Sequence, residues 1–204
     1  MLFDDTYKTI KGTSEGIFRD RGSKFIGYAF PIRHEEEIKE MIVRLRSEHP
    51  KARHFCWALR LTPDRSIFRI NDDGEPSGSA GRPILNTLLS AGLTNVLLVV
   101  VRYFGGTLLG VPGLINAYKQ AAIAAIGSNE VILKTINDTY ELRFDYLQMN
   151  EVMRIIKEEQ LSIVTQQFNN QCSIQLEIRK GQLDSALNKF HKLQDIEVKF
   201  LYTS

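Results

Sequence analysis

Cysteine is scarce in this chain: only Cys56 and Cys172 occur among 204 residues, far apart in sequence. That excludes a disulfide framework and points to a reducing, cytoplasmic setting. Long apolar runs are missing too. None approaches the roughly 20 residues of a membrane span, so a membrane is not an expected partner. The start, Met1-Leu-Phe-Asp-Asp-Thr6, has acids where a signal peptide carries bases, and no apolar segment follows to act as its core. Neither sign of charge dominates. The net charge is +2, far from the basic excess of a dedicated nucleic-acid binder. The Gly-Lys-Ser/Thr of a P-loop is absent, as is a Gly-x-Gly-x-x-Gly after a strand, which disfavours a dinucleotide fold. His49, His54 and Cys56 have no second ligand pair nearby, so zinc is not expected. No cofactor is expected either.

What is present is ordinary in bulk. Hydrophobic residues make up 43% and charged residues 25%, the balance of a globular protein. The length suits one large domain or two small ones. Charge is uneven along the chain: residues 1–135 carry an excess of cations and residues 136–204 an excess of anions. Within the first part, Lys51, Arg53, Arg60, Arg65 and Arg69 face only Asp64, which predicts a local basic surface.

Periodicity places the elements. A hairpin is expected over 14–30 around the turn Asp20-Arg21-Gly22-Ser23. A helix over 35–47 is expected with Ile38, Met41, Ile42 and Leu45 inward. Residues 54–61 alternate as a strand, with Phe55, Trp57, Leu59 and Leu61 on one side and His54, Cys56, Ala58 and Arg60 on a less buried one. A return strand follows over 66–70. Asn95-Val-Leu-Leu-Val-Val-Val101 is apolar throughout, so it predicts a central strand with both faces covered. Helices open near Pro83 and Pro112 and end near Gly92 and Gly127. From about Asn137 the order is β-α-β-β-α-β, with a turn at Asn169-Asn170 and a linker near Lys134–Asp138.

Two glycine-rich segments stand out: Asn71-Asp-Asp-Gly-Glu-Pro-Ser-Gly-Ser-Ala-Gly-Arg-Pro83 and Arg102-Tyr-Phe-Gly-Gly-Thr-Leu-Leu-Gly-Val-Pro-Gly113. Each joins an apolar strand to an apolar helix, and a simple connection needs fewer glycines. Asp72, Asp73 and Glu75 have three readings: oxygen ligands of Mg²⁺, turn carboxylates bonded to backbone, or partners of Arg82 or Arg102 that fix the two loops together. The third is favoured, and no metal is expected. Ser77, Gly78 and Gly81 have the look of a phosphate cradle, and Gly105, Gly106, Gly110 and Gly113 permit close backbone approach. Tight packing between the loops competes with anion contact. Arg53, Arg60 and Arg69 could follow a phosphate backbone, with Tyr103 or Phe104 as a stacking platform. Cys56 lacks a base in hydrogen-bond reach along its strand.

Ala52-Arg-His54 with Cys56-Trp57, Asp72–Gly81 with Pro83, and Val99–Gly106 with Leu108-Leu-Gly110, Gly113-Leu114 and Ala117-Tyr118 resemble the IMPACT family, whose bacterial members are YigZ-like. Ser23-Lys24-Phe25 adds to the match, which is strong over residues 15–125. The fold class expected is α+β in two domains, 1–135 and 136–204. The resemblance implies that the first has the fold of elongation factor G domain IV and ribonuclease PH, with an uncommon left-handed crossover. The second is ferredoxin-like and resembles elongation factor G domain V. The family's eukaryotic members are translational regulators that bind a partner protein through a further domain absent here. No established catalysis comes with the family. The leading expectation is a non-enzymatic RNA-binding or ribosome-associated module in translation control. A small-molecule or nucleotide enzyme built on the glycine-rich loops, or a protein-interaction scaffold, stand as alternatives. The partners expected are therefore RNA, the ribosome or a protein.

Overall fold

The computed structural model describes residues 5–168 and 171–204. They divide into a unit of residues 7–134 and a unit of residues 135–204 that also takes in Asp5 and Thr6. Both are mixed α and β with antiparallel sheets.

The larger unit is built on five strands: β2 (Ser14–Asp20), β3 (Ser23–Pro31), β4 (His54–Leu61), β5 (Ile67–Asn71) and β6 (Val96–Tyr103). A strand before them, β1 (Thr6–Ile10), pairs with β7 (Val131–Thr135) in a separate small sheet. The five strands order as β2-β3-β6-β4-β5, and every neighbouring pair is antiparallel. The apolar β6 is central: Val96 through Val101 have no exposed surface. One sheet face carries Phe25, Ala58, Leu98 and Val100 and packs under α2 (Gly81–Ala91) and α3 (Gly110–Gly127). The other carries Tyr28, Phe55, Leu59 and Val99 and packs against Ile38, Met41, Ile42 and Leu45 of α1 (Glu37–Glu48). Both faces are thus covered. Cys56 and Ala58, expected on the less buried side, have no exposed surface, because α2 and α3 cover that side.

The β2–β3 turn is tight. Arg21 and Gly22 both have positive φ, 44° and 79°, as a two-residue hairpin of matching twist requires. Gly16 and Gly27 pair across this hairpin. A Cβ on Gly27 would lie 2.3 Å from the Ala121 carbonyl oxygen, and one on Gly16 2.3 Å from the Ala124 carbonyl carbon. Two missing side chains therefore let α3 rest its backbone on the sheet, and the alanines 117, 121, 122 and 125 keep that contact close.

The smaller unit runs β8 (Asn137–Phe144), α4 (Met149–Glu158), β9 (Ser162–Phe168), β10 (Cys172–Arg179), α5 (Leu183–His191) and β11 (Ile196–Thr203). Its sheet orders as β11-β8-β10-β9. Leu142, Phe144, Ile174 and Leu176 pack with Val152, Ile155, Ala186 and Phe190 of the two helices as one core. Asp5 is bound by Arg179 at 2.6 Å. That bond comes first among the causes that hold the Asp5 carboxyl below its usual range. The turn expected at Asn169-Asn170 lies outside the described residues.

Candidate functional site

Strand direction decides where the glycine-rich segments go. β4 runs antiparallel to both β5 and β6, with Asn71 opposite Trp57 and Arg102 opposite His54. Both connections therefore leave the sheet at the end where β4 begins. Lys24 pairs with Tyr103, so the β2–β3 turn lies at that end as well.

The β5–α2 connection uses its acids on itself. Asp72 accepts N–H groups from Gly78 at 2.9 Å, Ala80 at 3.1 Å and Gly81 at 2.8 Å. The free donors at the start of α2 are thereby satisfied by a carboxylate of the chain. Asp73 accepts from the Phe55 N–H at 2.7 Å and from Arg46 at 3.0 Å, while the Arg46 guanidinium lies 4.5 Å from the Phe55 ring centre. The Asp73 carbonyl takes a hydrogen bond from His54 Nδ1 at 2.9 Å, which assigns the proton to that nitrogen. Glu75 turns inward. Its Oε1 accepts from Arg102 Nη1 at 2.5 Å and from the Tyr118 hydroxyl at 2.8 Å.

Arg102 therefore joins the end of β6 to the first loop through Glu75. Pairing of Asp72 or Asp73 with Arg82 or Arg102 does not occur: Arg82 is exposed and Asp73 takes Arg46 instead. Asp72 is consumed by the nearest unsatisfied backbone donors. Arg102 is 6% exposed and Glu75 9%, so water screens this ion pair little. The guanidinium lies 5.5 Å from the Phe25 ring centre and 5.7 Å from that of Phe104. Cys56 donates to the Asp72 carbonyl at 3.0 Å and lies 3.3 Å from the Tyr118 hydroxyl. Burial pushes its thiol far above the ordinary range, with the Glu75, Asp73 and Asp72 charges adding to the shift. The Tyr118 hydroxyl is pushed up by burial in the same way. Cys56 is a buried structural thiol without the thiolate a nucleophile needs.

The β6–α3 connection is different. Gly105 donates its N–H to the Ser23 hydroxyl at 3.1 Å, and a Cβ there would lie 2.0 Å from the Gly22 carbonyl carbon. This loop thus rests on the β2–β3 turn as well as meeting the first loop through Arg102. Beyond Gly105 it opens outward. Phe104, Leu108 and Val111 are exposed, Gly106 and Gly110 have φ of 87° and 70°, and the start of α3 has no side-chain cap. Gly113 sits in the first turns of α3 against Leu109. Arg21, Lys24 and Arg53 lie at this end of the sheet and form no ion pair among the described residues. Tyr103 faces the α1 side, where its hydroxyl is 2.9 Å from His49 Nδ1, and His49 Nε2 is 2.7 Å from the Tyr28 hydroxyl. Burial, then the charges of Glu15 and Glu48, push the Tyr28 hydroxyl up to about 12.

The arginines of the basic stretch do not gather. Arg53 stands at the loop end, one residue before β4. Arg60 is at the far end of β4, opposite Val96, and donates to the Leu93 carbonyl at 3.3 Å. Arg69 lies on the α1 side of β5 and pairs with Glu35 at 3.1 Å. Ser77 is exposed, and Gly78 beside it is held by Asp72 with φ of 76°. Sequence reasoning gave no such hydrogen-bonding role to Arg46, His49, Tyr28, Tyr118 or the hydroxyl of Ser23. Tyr118 left a signal, a lone large polar side chain among inward-facing alanines. The others left none, because their partners come from remote parts of the chain.

Residues 21–126 match the Impact N-terminal domain family. An IMPACT family member of Haemophilus influenzae is 36% identical over 148 residues, 72% of this chain and 72% of that one. The IMPACT family member YigZ of Escherichia coli is 37% identical over 123 residues, 59% of this chain and 60% of that protein. A crystal structure described as that of a hypothetical protein superposes with a TM-score of 0.75 at 25% identity, covering 97% of this chain and 98% of the other.

Proposed function

The chain belongs to the IMPACT family, and from that premise we propose that it is a non-enzymatic binding module in translation control. It contacts RNA, free or in the ribosome, at the loop end of its larger sheet. The observation that carries this reading is the exposed Phe104, 53% accessible, standing at the sheet end that also holds Arg21, Lys24 and Arg53. An aromatic face beside cations that form no ion pair among the described residues suits a base stacked next to its phosphates. Asp73 and Glu75 at the same end are neutralised by Arg46 and Arg102, so they repel a polyanion less. Arg60 and Arg69 stand apart from this contact, the first directed to a backbone carbonyl and the second paired with Glu35.

The same reading takes residues 7–134 as the fold of elongation factor G domain IV and ribonuclease PH. It takes residues 135–204 as ferredoxin-like, in the manner of elongation factor G domain V. The element order from β8 to β11 and the fully antiparallel five-stranded sheet support it. An enzyme reading finds no support in Cys56, whose thiol is buried and protonated.

Fluorescence anisotropy with labelled single-stranded RNAs over a range of salt concentrations tests the proposal. Affinity falls steeply with salt, and Arg53→Ala lowers the slope by about one. Phe104→Ala weakens binding at every salt concentration and leaves the slope unchanged. A parent protein that binds no RNA at low salt would sink the RNA contact and leave a protein partner in its place.

A further inference from the structure

α2 and α3 pack beside one another and leave a groove that runs from Gly78 of the first loop to Ala91 at the end of α2, a cavity of about 570 Å³. Its walls are two stripes at i, i+4, i+8 spacing: Arg82, Asn86 and Ser90 from α2, and Ile115, Lys119 and Ile123 from α3. Each stripe spans about 12 Å, a little over two helical turns. Ile115 and Ile123 are 40% and 43% exposed. The charge of this face has one sign. Arg82 is the only charged residue of α2 and Lys119 the only one of α3, and from Pro76 to Asn129 the chain has no Asp or Glu at all. Neither cation forms an ion pair among the described residues.

We propose that this groove takes an acidic amphipathic helix from a partner protein. Two helices side by side present a channel that a third helix fills with its own ridge of side chains. Ile115 and Ile123 offer two apolar contacts that residues i and i+7 of a docked helix reach together. Arg82 and Lys119 meet carboxylates on its flanks, where charge complementarity selects the partner. RNA fits this face less well: the apolar surface is aliphatic, with no ring for a base to stack on, and two cations neutralise few phosphates. None of Phe104, Arg21 and Arg53 lines the groove, so it serves a second partner rather than the proposed RNA contact.

The test is anisotropy of the full-length protein with two labelled 14-residue helical probes. One carries leucines at i, i+3, i+4 and i+7 with glutamates on the flanks, and the other has lysine in place of every glutamate. The acidic probe binds at least about tenfold tighter than its lysine twin. Lys119→Glu, which leaves the groove one cation and one anion, abolishes that preference, and Ile115→Asp removes both interactions while the melting temperature holds. Phe104→Ala leaves probe affinity unchanged, which separates this site from the RNA contact. Absence of acidic-probe binding, equal binding of the two probes, or a Lys119→Glu variant that keeps the parent's preference overturns the proposal. Displacement of bound RNA by the acidic probe also overturns it, since one surface would then serve both.

Discussion

The β5–α2 connection turns its polar groups inward, whereas the β6–α3 connection leaves apolar side chains in solvent. Both are rich in glycine and both join a strand to a helix. In the first, Asp72 satisfies three backbone donors, Asp73 holds Arg46, and Glu75 holds Arg102 and Tyr118. In the second, Gly105 is seated on the β2–β3 turn, and Phe104, Leu108 and Val111 are exposed. Glycine content alone does not separate a clasp from a presented surface. The difference is in the acids: the first segment has three and the second none. Carboxylates near a helix start find backbone donors and buried cations and rigidify the turn. Without them the loop is held by packing at one point and is open beyond it.

Substitutions at four positions sharpen that contrast. The largest effect belongs to Glu75→Ala, which strands the buried Arg102 cation. Removing one partner of a buried ion pair costs about 3–5 kcal/mol, and urea unfolding of the variant should show a loss of that order. A loss below about 1 kcal/mol would mean that Arg102 finds another anion or water. Asp72→Ala comes next. It releases the donors at the start of α2, a capping loss of about 1–2 kcal/mol, and Asp72→Asn recovers part of it because an amide oxygen still accepts. Equal stability of the alanine and asparagine variants would deny Asp72 its capping role. The smallest effect on folding is expected in the second loop. Phe104→Ala and Leu108→Ala should shift stability by no more than about 0.5 kcal/mol, while Phe104→Ala weakens RNA binding. Should both melt as early as Glu75→Ala, the second loop would be a structural element like the first.

Much of the fold was legible residue by residue. The strand expected over 54–61 is β4 with the same ends. The unbroken apolar run 96–101 is the central strand, since only a strand covered on both faces tolerates such a run. Gly92 closes α2 in the left-handed conformation and Gly127 is the last residue of α3. The expected helix over 35–47 begins two residues later, at Glu37, whose carboxylate accepts the N–H groups of Arg33 and His34 ahead of it. The strands β1 and β7 were not read at all. Each has five residues with no turn signal joining it to its partner, and a pairing between opposite ends of a long segment leaves no local trace.

The candidate site was legible in part. That acids of the first loop and an arginine would hold the two loops together could be read from residue types, and Glu75 with Arg102 does so. Which acid takes which base could not be read.

What the sequence determined by itself is therefore what repeats locally: the periodicity of each strand and helix, the punctuation by glycine and proline, and the family written into the two glycine-rich segments. Only the tertiary structure decided which side chains meet. The antiparallel order β6-β4-β5 brings both loops to one end of the sheet and carries Arg60 to the other. It seats Arg46 of α1 over Phe55 and Asp73, and it sets Tyr118 of α3 against Glu75. Apolar burial is non-directional and sums along a stripe, so a local pattern reports it. A hydrogen bond or an ion pair depends on one distance between two atoms, and strand register sets that distance across dozens of intervening residues.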